Sequence, residues 1–167
     1  MNHPSISKVQ AEIEAVFGAV VGELGDTFSV DDLLSFIRQY RRRPLYFRVL
    51  RTPPEWDNLE WMGACFAAAD QDVLIVCAEL GDLLFYSTLG HESAHLLSNH
   101  VKTLNSTVAQ FLRHPDELVP HLHLSEYDKP QDEQEFVAEE LGILFTECLM
   151  RHACLMPDVP REFYEND

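Results

Sequence analysis

Apolar residues at Ile6, Val9, Ile13, Val16, Phe17, Val20, Val21 and Leu24 recur every three or four positions and stop at Gly25, the pattern of an amphipathic helix. Its polar side carries Glu12, Glu14 and Glu23, which suits packing on a core rather than lying on a membrane, where a basic face is needed. Ser29 then stands as an N-cap, with Asp31 and Asp32 in the first turn, where the helix dipole favours carboxylates. Val30, Leu33, Leu34 and Ile37 supply the apolar stripe of this second helix. The run Arg41-Arg42-Arg43 reads as a cationic helix end matched to the dipole, in preference to a phosphate contact.

The period then changes. PLYFRVLR (44–51), MGACFAAAD (62–70) and DVLIVCAE (72–79) read as strands, with Leu45, Phe47 and Val49 alternating as in a half-buried strand. RTPPEWDN is a proline-rich loop, and the tight AADQD connection predicts a hairpin of the second and third strands. A helical region is expected from Asp82 to about His100, and a short helix at Val108–Arg113 within an otherwise irregular stretch of 101–130 that holds Pro115, Pro120 and Pro130. A strong helix follows over about 131–153, with Phe136, Val137, Leu141, Leu144, Phe145 and Cys148 in helical spacing. The tail PDVPREFYEND is punctuated by proline and expected to be loosely held. These elements predict an α+β fold with a small, mainly antiparallel sheet of about three strands. Residues 1–167 are expected to form one domain: a helical part (1–43), the sheet and principal helices (44–153) and the tail (154–167).

Composition narrows the function. Twelve basic residues against 28 acidic ones give a net charge of −16, which argues against direct nucleic-acid binding and against an anionic membrane, and suits a basic protein partner. No apolar run is long enough to span a bilayer, and the opening Met-Asn-His-Pro lacks the features of a signal peptide, so a cytoplasmic protein is expected. Cys65, Cys77, Cys148 and Cys154 form no CxxC pair and lie in apolar surroundings, as expected of reduced, buried thiols; no local signature marks a nucleophile.

The chemistry concentrates in LGHESAHLLSNH, residues 89–100. His91 and His95 are four apart, so on a helix they project from one face and two imidazole nitrogens can reach one zinc ion. Glu92 falls one step round, where it can touch a water at the ion without being a ligand: the HExxH arrangement. EFVAEELG offers a third ligand. It places Glu135, Ala138, Glu139 and Gly142 on one face, and the small residues there, with Gly90 and Ala94 on the histidine helix, would let two helices approach closely enough for Glu135 to reach the ion. Glu133 is the alternative third ligand, and Glu139 is a candidate to hydrogen-bond a ligating histidine. His100 lies off the metal face and suits a capping or hydrogen-bonding role. His121, His123 or Tyr127 could fold over the cleft to steady an oxyanion, the histidine pair being also a lesser metal-site candidate.

The blocks HESAHLLSNH and EFVAEELG resemble the ImmA/IrrE family of metallopeptidases, with a similar layout over about residues 28–150. Ser93-Ala94 replace the apolar-glycine pair usual there, and Gly142 stands where alanine is usual. The resemblance implies a zincin-like, mini-gluzincin fold. It implies one zinc ion on His91, His95 and Glu135, Glu92 as general base, and endopeptidase activity that cleaves or antagonises a helix-turn-helix transcriptional repressor. The alternative is a metallopeptidase-like binding module, inactive or weakly active, that regulates a protein partner. In the peptidase reading, an exposed sheet edge beside the site would hold an extended peptide by strand addition.

Overall fold

The computed structural model describes residues 6–51, 61–113 and 132–155. Helix α1 (Ile6–Leu24) and helix α2 (Val30–Arg41) precede strand β1 (Leu45–Leu50), strand β2 (Gly63–Ala67) and strand β3 (Asp72–Cys77). Helices α3 (Asp82–Leu97), α4 (Val108–Arg113) and α5 (Asp132–Leu155) follow. The architecture is α+β. Among the described residues no helix is long and apolar enough to cross a membrane.

Local chemistry sets the boundaries. Gly25 leaves α1 with φ of 82°, a left-handed conformation that costs glycine little. Ser29 caps α2 through a capping box: its hydroxyl accepts from the Asp32 N–H, and the Asp32 carboxylate accepts from the Ser29 N–H. α3 ends at Leu97, earlier than the apolar pattern suggested. Asn99 turns left-handed (φ 57°), and the His100 N–H closes onto the His95 carbonyl at 2.8 Å.

The sheet has the order β1-β3-β2 and is mixed, not mainly antiparallel. β2 and β3 form the expected hairpin, from Ala67↔Asp72 to Gly63↔Val76. β1 instead runs parallel to β3, from Leu45↔Asp72 to Leu50↔Cys77. A parallel pair needs a long crossover, which residues 51–71, β2 included, supply. Central β3 is buried along its whole length, as a strand covered on both faces must be.

One face of the sheet, with Leu45, Cys65, Leu74 and Val76, joins the main core shared by α1, α2, α3 and α5. The other, with Phe66, Val73, Ile75 and Cys77, packs a smaller cluster with Trp61 and Val108. Phe145 of α5 anchors the main core, its ring 6.3 Å from Phe17 and 6.5 Å from Phe28. Cys65, Cys77 and Cys148 are buried free thiols as expected, whereas Cys154 is exposed.

Arg41 and Arg43 do more than neutralise a helix end. Both guanidinium groups donate to the buried Asp72 carboxylate at the start of β3. Arg41 also donates to the Leu96 carbonyl (2.9 Å) and to Asn99 Oδ1 (3.0 Å). One arginine thereby ties α2, β3 and the C-terminal end of α3 together.

Candidate metal centre

α3 and α5 form the most extensive helix pair, and they run antiparallel. Thr146 Oγ1 donates to the Tyr86 carbonyl at 3.3 Å near one end, and Glu135 meets His91 and His95 near the other. Between these points the helices touch backbone to backbone. A Cβ on Gly90 would lie 2.8 Å from the Gly142 carbonyl oxygen, and a Cβ on Gly142 would lie 3.1 Å from the His91 backbone. Ala94 and Ala138 are fully buried in the same crossing. The small residues therefore set how closely Glu135 approaches the histidines.

Three potential ligand groups converge there. His91 Nε2 and His95 Nε2 are 3.1 Å apart; Glu135 Oε2 lies 3.4 Å from the first, and Glu135 Oε1 lies 3.3 Å from the second. The imidazole planes are inclined at 80° with centroids 4.7 Å apart, so the nitrogens meet at a point and the rings do not stack. His95 is buried, whereas the His91 and Glu135 side chains keep 28% and 37% of their surface, leaving the cluster open on one side. Two imidazoles and a carboxylate so placed form a group able to hold a metal ion. Glu133, two residues before Glu135, is not one of the converging groups.

The electrostatics match. Hydrogen bonds from His91, then from His95, hold the Glu135 carboxyl far below the usual carboxylate range despite its partial burial. Burial pulls the His91 pKa down, but the hydrogen bond to Glu135 and the charges of Glu92, Glu135 and Glu139 outweigh it and leave it raised. The acid and the Nε2 atoms of the two imidazoles pair with one another.

Glu92 does not join the ligand group. One residue beyond His91, it turns about 100° round the helix, away from α5 and towards the sheet, where its Cγ would be 3.2 Å from a Cβ on Gly63. Glu139 acts on His91 through its charge, but among the described residues it hydrogen-bonds neither histidine, and the buried His95 Nδ1 has no partner there. Glu139 is exposed on α5. His100, off α3, pairs its Nε2 with Glu12 Oε1 of α1 at 2.9 Å, with its ring 6.2 Å from that of His95. His121, His123 and Tyr127 lie outside the described residues.

Three features of the site had no signal in the pattern: Gly63 and Cys65 on β2 beside Glu92, and the Glu12–His100 pair that ties α1 to the end of α3. Glu12 reads as one of several solvated acids, and a strand glycine or cysteine reads as sheet packing. Comparison with protein-family models, with curated proteins and with solved structures returns no match for this chain, so the likeness to the ImmA/IrrE pattern rests on the two blocks HESAHLLSNH and EFVAEELG themselves.

Proposed function

We propose that the chain is a zinc-dependent endopeptidase. The observation that carries this reading is the convergence of His91, His95 and Glu135 from two separate helices at mutual distances of 3.1–3.4 Å. Ligands 2.0–2.1 Å from a tetrahedral zinc ion would stand about 3.3–3.4 Å apart, close to the separation of the two imidazole nitrogens and of each from its nearer Glu135 oxygen. Two neutral imidazoles with one carboxylate suit zinc, and three protein ligands leave the fourth position to the chemistry.

His91, His95 and Glu135 would hold a zinc ion, which would supply Lewis acidity to polarise a scissile carbonyl and lower the pKa of a water towards about 7. Glu92, beside the ligands but not among them, takes the proton of the attacking water and delivers it to the leaving amine. Gly63 and Cys65 of β2 present their backbone groups away from β3, since Met62 and Ala68 make the ladder bonds to Cys77 and Gln71. That outer edge runs beside Glu92 and suits an extended peptide held by strand addition. The net charge of −16 favours a basic substrate, and a helix-turn-helix repressor is the partner that the resemblance to ImmA/IrrE proteins implies.

The test is metal analysis followed by one substitution. Protein purified without added zinc is expected to hold about one equivalent, lost in His91→Ala. Glu92→Gln is expected to keep the metal and partner binding but abolish cleavage. A stable protein that takes up no metal overturns the reading. If wild type and Glu92→Gln treat a genuine partner alike, it is a binding module and not a peptidase.

A further inference from the structure

Helix α5 is buried on one side and open on the other, and its open side is not wholly polar. Val137, Leu141, Phe145 and Cys148 fill the core, while Gly142 and Thr146 meet α3. At about 100° per residue, the positions opposite that buried face are Phe136, Ile143 and Met150. Phe136 and Ile143 are 49% and 56% exposed, and Met150 is half-buried. A helix that only packs on a core puts polar residues there. Single exposed apolar side chains are ordinary, but these recur every seven residues and so form one line along the helix. From Phe136 to Met150 the line is about 21 Å long. A repeat of seven is the spacing that a second helix reads when it packs alongside.

The charges beside this line say what kind of helix fits. Glu140 and Glu147 fall on its flank, where paired helices carry the charges that choose a partner. Both are exposed, and the 3.4 Å pair of Glu147 with Arg151 is a surface contact that an incoming cation can replace. A second copy of the chain would set like charges against them, on top of the repulsion between two bodies of net charge −16. The chain's own stretches 114–131 and 156–167 fit no better, since acidic residues outnumber basic ones in each.

We infer that the outer face of α5 docks a protein partner through a basic amphipathic helix. The apolar side of that helix lies on Phe136, Ile143 and Met150, and its lysines or arginines stand beside Glu140 and Glu147. The inference goes beyond the peptidase reading and needs neither metal nor hydrolysis.

The probe is a synthetic peptide of about three heptads, with leucine along the seam and lysine on both flanks so that it repels copies of itself. The control peptide has the same composition with its order scrambled, and hence the same charge. By titration calorimetry, the full chain is expected to bind the first about tenfold more tightly than the second, and less tightly as salt is added. Phe136→Gln with Ile143→Gln, exposed and uncharged changes whose fold circular dichroism would check, is expected to remove that preference. Glu140→Lys with Glu147→Lys is expected to weaken the lysine peptide and strengthen one with glutamate on its flanks. Equal binding of the two lysine peptides by the wild type means general attraction to an acidic protein, and overturns the inference. A preference that survives Phe136→Gln with Ile143→Gln overturns it too, as does a charge-reversed chain that gains nothing for the glutamate peptide. Sedimentation showing a dimer that Ile143→Gln abolishes makes a second copy the occupant, and also overturns it.

Discussion

In the metal-free protein Glu135 and His91 pull the response of stability to pH in opposite directions. The raised His91 pKa contributes stability that is complete below its unfolded value of about 6.5 and is lost as pH rises through the folded one. The depressed Glu135 pKa contributes stability above about 4.3 that is lost as pH falls through its folded value. A metal needs His91 neutral, so protons compete with it from a higher pH than at an ordinary histidine. The Tm gained on adding zinc should therefore grow from about pH 5.5 to about pH 8, as calorimetry with and without the ion would measure. Glu135→Gln removes a ligand outright. Since losing only an outer hydrogen-bond partner of a ligand costs about 10–100-fold in affinity, this change should cost more than about 100-fold by competition titration.

Among the elements, the crossing of α3 and α5 is where small changes matter most. Alanine in place of a helical glycine gains about 1 kcal/mol of propensity, while overpacking costs about 1–3 kcal/mol. At Gly90 the neighbour is the Gly142 carbonyl 2.8 Å away, backbone that cannot swing aside, so Gly90→Ala should destabilise the fold on balance. Denaturant unfolding would check this, and a parallel loss of metal affinity would show the helices parting at Glu135. Gly142→Ala meets the His91 backbone at 3.1 Å, which a shift of a few tenths of an ångström relieves, and should cost less. This crossing was legible in the sequence because helical spacing alone puts Gly90 and Ala94, and Ala138 and Gly142, in register with the candidate ligands. The sheet was less legible. Alternation and turn residues locate strands and join β2 to β3, but nothing in the period of β1 says that it lies parallel to β3, since pairing partners are chosen by the path of a distant connection. The end of α3 at Leu97 was hidden for a similar reason: a left-handed Asn99 interrupts a residue pattern that still reads as helical.

For the molecule as a whole, the tie from α2 through β3 to α3 depends on a buried acid that composition cannot distinguish from the other 27 acidic residues. Asp72→Ala leaves Arg41, whose side chain is only 11% exposed, without its carboxylate, while Arg43 at 35% can rehydrate. The loss should fall near the lower end of the range for a broken buried pair, about 3 kcal/mol by urea unfolding. Another whole-molecule property follows from how β2 ends. Ala67 is already engaged, its N–H donating to the Lys102 carbonyl and its own carbonyl accepting from the Leu104 N–H. A guest strand entering along Gly63 and Cys65 would run into this native pairing within two or three residues. So short a ladder gives a peptide little grip, and under the proposed peptidase reading most of the hold on a substrate would have to come from surface well away from the scissile bond. Trimming a substrate outside the cleavage segment should then reduce kcat/KM even when the sequence around the cut is untouched.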